Sequence, residues 1–262
     1  MVGMSKELLH NNLAKYYDRV YSFRDYLDEA VRLQNVIIKY SESGGNTLLD
    51  VACGTGLHLK HLKDDFLCTG VDISKGMLKI AKKNVKGVTF KESDMKTLRL
   101  GKQYDVITCL LSSIGYVKTA PSLEKTIRNF SKHLKKGGLA LIEPSYAKSL
   151  YVSGEPRITT YDGKDVKIAR INYTNFRQAT AVLNMHMLIA ERGKDAKYYV
   201  DRHELGLFGI NTTLRIMKAA DLKSKYLKNG LMPRRELATG KDTDEARERA
   251  KLAASKVVPV KT

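Results

Sequence analysis

The segment from Thr47 to Gly56 constrains the fold more than any other part of the chain. It is an apolar run that ends in a Gly-Thr-Gly turn, and an amphipathic helix is predicted directly after it, at Leu57–Lys63. A continuous apolar run of this length is typical of a strand that is buried on both faces of a parallel sheet. The glycines allow backbone N–H groups to approach a ligand closely, and the helix N-terminus adds a partial positive field. The segment therefore predicts a strand–turn–helix unit at a ligand-binding edge.

The same alternation of strand and helix continues along the chain. Ser74 is predicted to cap a second helix, and the helix that carries Leu123 and Leu134 is predicted to end at Gly137-Gly138. Further buried strands are predicted at Phe66–Asp72, Val88–Glu92, Tyr104–Leu111 and Leu139–Glu143. Repeated units of this kind build a mostly parallel sheet with helices on both faces. We therefore predict a doubly wound α/β fold.

The pattern changes after Pro144, where strand-like runs follow one another without helices. These runs are Arg157–Tyr161, Val166–Phe176, Ala179–Ile189 and Lys197–Phe208. Asp162-Gly163 and Arg192-Gly193 supply turn signals between them. We predict that residues 151–208 form an antiparallel β insertion after the fifth strand.

The remaining segments complete the predicted domain division. Residues 1–43 are expected to form two helices, the first capped by Ser5. The sheet domain is expected to comprise residues 44–150 and 209–240, and residues 241–262 to form a solvated tail. A helix at Asn211–Ala220 and strands at Leu222–Leu227 and Arg235–Ala238 would bring the sheet to seven strands.

The charge and the cysteine content indicate which partners and which cellular compartment the protein is suited to. The 46 Lys and Arg residues outnumber the 28 Asp and Glu residues, for a net charge of +18. This charge favours an anionic partner, although the basic residues are scattered and a solvated surface explains it equally well. No apolar stretch reaches the roughly 18 residues of a membrane span, so we expect no membrane partner. Cys53, Cys68 and Cys109 lack C-x-x-C spacing, which predicts neither disulfide nor metal site and favours a cytoplasmic location.

Three acidic residues fall at the ends of consecutive predicted strands. They are Asp50, just before the turn, and Asp72 and Asp94 on the next two strands. In a doubly wound sheet these ends form the ligand crevice. A dinucleotide site is one alternative, but Leu59 stands where the third glycine of its motif is required. Asp50 would repel a diphosphate and hold an ammonium, and Asp72 is placed to bind a ribose. The pattern favours a nucleoside that carries an amino acid, with a plain tight turn and helix capping as the structural alternatives.

Several motifs together carry a family resemblance. They are Leu49–Gly56, Gly70–Ser74 with Met77-Leu78, Asp94-Met95, Asp105–Tyr116 and Gly137-Gly138. In these motifs the chain resembles the class I S-adenosylmethionine-dependent methyltransferases, a Rossmann-like fold. The resemblance implies S-adenosyl-L-methionine as cofactor and S-adenosyl-L-homocysteine as product. It implies cofactor contacts from Tyr17, Arg24, Asp50, Ala52, Gly54, Gly56, Asp72, Ile73, Asp94, Met95 and Leu110. Tyr17 and Arg24 would close the site, with Arg24 pairing with the cofactor carboxylate.

A narrower resemblance concerns the acceptor. Ser112–Tyr116, Ile142–Pro144, the β-rich insertion and Arg234–Leu237 are similar to segments of the aminosugar N,N-dimethyltransferases. This similarity implies a small-molecule acceptor, anionic or amine-bearing, with an amine of an aminosugar nucleotide as the favoured target. It marks Tyr116 and His203 as candidate catalytic residues and Tyr116 and Arg235 as candidate substrate-binding residues. Plain packing or solvation is the alternative for each of them.

Other acceptors stay open at this stage. The Asn/Asp-Pro-Pro-aromatic motif of adenine and glutamine methyltransferases is replaced after the fourth strand by Leu-Ser-Ser-Ile, which disfavours a nucleic-acid substrate. RNA or protein methylation through the basic surface is the alternative function. The oligomeric state is undetermined, and a homodimer is one option.

Overall fold

The computed structural model describes residues 5–144, 153–227 and 256–261. Its first elements are strand β1 (Ser5–Lys6), a 3-10 helix (Leu8–His10) and helices α1 (Ala14–Val20) and α2 (Tyr26–Tyr40). The helix cap expected at Ser5 was wrong, and only the later part of the helix expected after it forms, as α1. Glu7 adopts a left-handed conformation that interrupts a helix, and the amides of Leu8 and Leu9 donate to the distant Asp201 carboxylate.

The central region follows the predicted alternation of strands and helices. Its elements are β2 (Thr47–Val51), α3 (Leu57–Leu62), β3 (Leu67–Asp72), α4 (Lys75–Asn84), β4 (Thr89–Glu92), β5 (Tyr104–Cys109), a 3-10 helix (Ser113–Val117), α5 (Ala120–His133) and β6 (Leu134–Ile142). Ser74 caps α4 as predicted, because its hydroxyl accepts the amide of Met77 at 3.1 Å.

The boundary between α5 and β6 differs from the prediction. The helix ends at His133, and Gly137, which was expected to terminate it, lies inside the strand with φ +70°. The pairing of β5 with β6 is irregular here, since Tyr104 pairs with Leu134 and Val106 with Leu139. Gly137 therefore lies at a bulge in a strand. A left-handed glycine suits a bulge as well as it suits the end of a helix.

An antiparallel sheet follows the fifth parallel strand, as predicted. Its long strands are β7 (Arg157–Asp162), β8 (Val166–Arg177), β9 (Thr180–Glu191) and β10 (Lys197–Gly206). They pair in the order β10-β9-β8-β7, and β1 adds to the free edge of β10 in a parallel orientation. The N-terminus of the chain is thereby attached to the insertion.

The larger sheet is completed by α6 (Ile210–Lys218), β11 (Leu222–Leu227) and β12 (Lys256–Lys261), and its strand order is β11-β12-β6-β5-β2-β3-β4. Strands β6, β5, β2, β3 and β4 are parallel, whereas β12 pairs antiparallel with both β6 and β11. The Rossmann-like parallel core therefore has five strands. The strand predicted at Arg235–Ala238 lies outside the described residues, and β12 falls within the range expected to be a solvated tail. That expectation was wrong for residues 256–261.

The core shows why β2 is apolar throughout. Leu48 packs in a cluster with residues of α2, α3 and α4, whereas Leu49 packs in a second cluster with residues of α5 and α6. A strand covered on both faces needs apolar side chains at consecutive positions. A third cluster joins the N-terminal segment to the insertion, and its members include Leu9, Leu13, Met185 and Met187.

Candidate active site

The turn after β2 is shaped by three left-handed residues. Ala52, Gly54 and Gly56 have φ values of 58°, 56° and 78°. A Cβ on Gly54 would meet no atom within 4 Å, so the backbone here borders open space. A Cβ on Gly56 would instead press on Ala81, Val85 and Phe90, the nearest at 3.3 Å. Gly54 thus permits a ligand to approach the backbone, and Gly56 permits the helix that follows to pack closely.

Asp72 closes this turn from the end of β3. Its two carboxylate oxygens accept the amides of Gly54 at 2.9 Å and Ser74 at 2.8 Å. Burial raises the pKa of Asp72, and the donating amides oppose that shift. Each oxygen of a carboxylate has more than one acceptor position, so Asp72 keeps capacity for the hydroxyls of a ribose.

A cavity of about 380 Å³ opens at the carboxyl ends of the parallel strands. Eight of the residues predicted from the sequence line it: Tyr17, Ala52, Gly54, Asp72, Ile73, Asp94, Met95 and Tyr116. Eight others were not predicted: Glu7, His10, Met77, Ser93, Lys96, Ser113, Val117 and Lys118. The convergence of strand ends thus places most of the expected acidic and apolar groups around one space.

Asp50 lies beneath the turn and does not line this cavity. Its side chain is 3% exposed and accepts the hydroxyl of Thr108, its partner across β5, at 2.7 Å. Burial raises the pKa of Asp50 from 3.8 to about 6, with a further upward contribution from Asp72. Its expected contact with an ammonium stays a prediction.

The other predicted residues outside the cavity wall have different surroundings. Leu110 is buried in the apolar cluster that β2 forms with helices α2, α3 and α4. Arg24 donates to Glu29 at 2.9 Å, and the same Glu29 oxygen lies 2.8 Å from His58 Nε2. Burial lowers the pKa of Arg24, but Glu29, with smaller contributions from Glu143 and Tyr26, more than offsets it, and the pKa is raised overall. Arg24 thus binds a carboxylate of the protein itself. Arg235 lies outside the described residues.

Tyr116 and His203, predicted separately, are in direct contact. The hydroxyl of Tyr116 lies 2.7 Å from His203 Nδ1, and His203 Nε2 lies 3.0 Å from Asp201 Oδ2. Tyr116 borders the cavity, whereas the side chains of His203 and Asp201 are 2% and 0% exposed. A buried chain of three polar groups therefore ends at the cavity in a phenolic oxygen.

His10 was not predicted as a site residue. Its ring centroid lies 4.8 Å from that of His203, 5.5 Å from that of Tyr116 and 5.9 Å from that of Tyr17. Burial, and secondly the neighbouring His203, lower the pKa of His10 to about 3. The imidazole is therefore neutral near pH 7 and adds no positive charge to the cavity wall.

The loop between β5 and α5 carries backbone strain beside the cavity. Leu111, Ser112 and Lys118 have φ values of 53°, 59° and 65°, which non-glycine residues rarely adopt. Glu143 helps hold this conformation, because its carboxylate accepts the amide of Leu111 at 2.7 Å. Strained backbone of this kind clusters at ligand sites.

Helix α1 is fastened over the turn by a second carboxylate. Asp18 accepts the hydroxyl of Thr55 at 2.6 Å and the side-chain amide of Asn84 at 3.1 Å. Because Tyr17 on the same helix lines the cavity, these bonds hold an aromatic wall in place.

Comparison with known proteins agrees with this geometry. Residues 48–138 match the family described as "Methyltransferase domain". The dTDP-3-amino-3,4,6-trideoxy-alpha-D-glucopyranose N,N-dimethyltransferase of Streptomyces venezuelae is 31% identical over 222 residues, which are 83% of this chain and 92% of that relative. The chain belongs to the S-adenosylmethionine-dependent methyltransferases. The chain also resembles a second relative, from Streptomyces fradiae, at 28% identity over 83% of the chain and 86% of that relative. This relative is the dTDP-3-amino-3,6-dideoxy-alpha-D-glucopyranose N,N-dimethyltransferase.

Solved structures of methyltransferases are also similar to this chain. The crystal structure of Streptomyces venezuelae DesVI superposes with a TM-score of 0.82 at 26% identity, covering 95% of this chain and 98% of that one. The sugar N-methyltransferase KedS8 from Streptoalloteichus superposes with a TM-score of 0.78, also at 26% identity, over 94% and 92% of the two chains. The methyltransferase fold thus includes the antiparallel insertion as well as the parallel core.

The residues around the cavity suit the cofactor of this family. Gly54 leaves backbone open to a ligand, Asp72 offers acceptors for a ribose, and Ile73, Met77 and Met95 supply apolar surface for a base. Among the described side chains, no group of three or more His, Cys, Asp or Glu is arranged to hold a metal ion. No helix within the described ranges is long and apolar enough to cross a membrane.

Proposed function

We propose that this methyltransferase methylates the amine of a nucleotide-linked aminosugar. The observation that carries the proposal is that Tyr116, backed by His203, borders the same cavity as Gly54 and Asp72. One cavity thus combines a wall suited to the cofactor with a polar group suited to an amine. The two dTDP-aminosugar N,N-dimethyltransferases among the relatives support the choice of acceptor.

The proposed role of the protein is mainly to bind and orient. S-adenosylmethionine, when bound, supplies an electrophilic methyl group and a neutral thioether leaving group. Gly54 and Asp72 would hold the nucleoside, with Asp94 and Met95 beside the base. Alignment of an acceptor with an activated group is worth about 7–11 kcal/mol at best. Helix α1, fastened through Asp18, would exclude water from the cavity.

Two lysines on the cavity wall support an anionic acceptor. Lys96 and Lys118 both line the cavity, and each is also near a carboxylate, Asp94 at 3.2 Å and Glu204 at 3.7 Å. Lysine acts as a point-charge binder of phosphate groups. We therefore assign the phosphates of the acceptor to these lysines, and Arg235 stays a further predicted contact.

The proposal is tested by offering the purified protein several acceptors in parallel. The first is a dTDP-linked aminosugar, and the matched control is the same sugar nucleotide with a hydroxyl in place of the amine. Bulk RNA and ribosomal protein test the alternative function that the basic surface suggests. We expect methyl transfer to the amine, detected by mass spectrometry, and none to the hydroxyl control. Transfer to RNA or protein without transfer to any aminosugar would refute the proposal and favour the alternative.

A further inference from the structure

We propose that Asp201 is a positioning residue that orients the hydrogen bonds of His203 and Tyr116, so that Tyr116 presents its oxygen to the acceptor amine as a proton acceptor. This inference rests on the proposed function, because it assigns a task to Tyr116 in that reaction. Asp201 itself is fully buried and does not line the cavity.

The donors around Asp201 decide its protonation state. Oδ1 accepts the amide of Leu8 at 2.8 Å, and Oδ2 accepts the amide of Leu9 at 2.8 Å. His203 Nε2 lies 3.0 Å from Oδ2. Burial pushes the pKa of Asp201 upward, but the bonds from His203 and the two amides outweigh it and the pKa lies below its ordinary value. Asp201 is therefore a carboxylate that can only accept, and His203 Nε2 must donate.

The direction of the next hydrogen bond follows from the first. When Nε2 carries the hydrogen of a neutral imidazole, Nδ1 has the lone pair. The Tyr116 hydroxyl, 2.7 Å from Nδ1, then donates to it. The hydroxyl hydrogen of Tyr116 is thus directed at His203, and towards an N–H group its oxygen can act only as an acceptor. The opposite tautomer would reverse this arrangement and turn Tyr116 into a donor.

This orientation allows an ammonium to lose its proton inside the closed site. The proton passes from the acceptor nitrogen to the Tyr116 oxygen while the Tyr116 proton passes to His203 Nδ1. The resulting imidazolium is stabilised by the Asp201 carboxylate. The freed nitrogen lone pair then forms the bond to the methyl carbon, and the electrons of the carbon–sulfur bond stay on sulfur. Atoms and charge balance without another reagent.

The same carboxylate joins this chain of hydrogen bonds to the N-terminal segment. Leu8 and Leu9 belong to the 3-10 helix that brings His10 to the cavity, 193 and 192 residues away from Asp201 in sequence. His10 and Tyr116 contact His203 from neighbouring elements. Glu7, Tyr17 and Lys118 border the same cavity as Tyr116, and Glu204 follows His203 on β10 and pairs with Lys118. His10, whose pKa is lowered to about 3, contributes no competing positive charge at neutral pH.

The first experiment measures the tautomer of His203 directly and needs no acceptor. Long-range ¹H–¹⁵N spectra of the full-length protein with labelled histidine distinguish Nε2–H from Nδ1–H, and a His203→Gln variant assigns the signal. We expect Nε2–H in the unmodified protein and a shift of population toward Nδ1–H in Asp201→Asn. Nδ1–H in the unmodified protein would overturn the inference, even if the variant failed to fold. An identical tautomer in the variant would overturn it as well.

The second experiment measures turnover of the aminosugar nucleotide against pH. For Asp201→Asn we expect kcat to fall by about 10²-fold near neutral pH, with little change in KM for the cofactor. The loss should shrink as pH rises, because the acceptor amine then arrives without its extra proton. Asp195→Asn, at an exposed turn, removes the same charge and should behave like the unmodified protein.

Three outcomes would separate the possibilities. A loss that is equal at every pH would indicate a structural defect and refute the positioning role. In the His203→Gln background, Asp201→Asn should cost little more, and a full additional loss would also refute it. If the unmodified protein methylates no aminosugar, the proposed function fails while the tautomer measurement still decides the role of Asp201.

Discussion

Replacing Asp50 with Asn tests the electrostatics beneath the glycine-rich turn. Asp50 is 3% exposed, and among the described side chains only the hydroxyl of Thr108 donates to its carboxyl group, at 2.7 Å. Asn has nearly the same shape and keeps a carbonyl oxygen for this donor. The change therefore removes a titratable charge with little change in packing.

The magnitude follows from the pKa of Asp50. Its pKa is raised from 3.8 to about 6 in the folded chain, chiefly by burial. A group with a raised folded pKa contributes stability below its unfolded pKa, and that stability is lost as pH rises through the folded pKa. Each pH unit between the two values corresponds to about 1.4 kcal/mol, so the unmodified protein loses about 3 kcal/mol between pH 4 and pH 7. Asp50→Asn should not show this loss.

Urea unfolding at several pH values checks this prediction. The free energy of unfolding of Asp50→Asn, relative to the unmodified protein, should rise by about 3 kcal/mol from pH 4 to pH 7. Asp195→Asn, which is exposed, should show no such trend. A difference between Asp50→Asn and the unmodified protein that stays constant over this range would refute the reasoning. If Asp50 also holds the cofactor ammonium, the stabilised variant should bind S-adenosylmethionine more weakly.

Two further predictions concern cofactor binding. Asp72→Ala should weaken binding of S-adenosylmethionine by about 1.5–3 kcal/mol, the range for hydrogen bonds to a charged group, and calorimetry measures it. Unchanged affinity would contradict the ribose-binding role. Thr55→Val removes the hydroxyl that donates to Asp18 at 2.6 Å, and it should speed cofactor release by about two- to tenfold in stopped-flow fluorescence. A release rate equal to that of the unmodified protein would show that α1 does not limit exit.

The parallel core could be predicted because its signals are local. Most of its strands are short apolar runs, followed by a turn or a helix cap such as Ser74. Strand β12, which lies between β11 and β6, lacks such a clear signal. Its sequence contains Pro259, which cannot donate to a ladder and usually argues against a strand between two neighbours. Pairing with β6 and β11 forms it nevertheless, and that pairing is a tertiary contact that no local pattern reveals.

The candidate site also contains residues that the sequence predicts and residues whose positions depend on tertiary pairing. Asp72 and Asp94 follow from topology alone, since the ends of parallel strands meet at one edge of the sheet. The position of Asp50 depends on register, because its partner on β5 is Thr108 rather than a residue at the strand end. Topology predicts that an acid lies near the turn, whereas register decides that this acid is buried beneath it.

The contact between Asp201 and His203 is predictable from the two-residue periodicity of a strand. Asp201 and His203 are two residues apart on a predicted strand, so their side chains fall on one face and can contact each other. That spacing can be read directly from the sequence. The amides of Leu8 and Leu9 could not be found in this way, because they reach Asp201 only through the pairing of β1 with β10. A strand spacing of two thus identifies the partner that fixes a histidine tautomer, while the folded chain alone determines which backbone groups keep that partner charged.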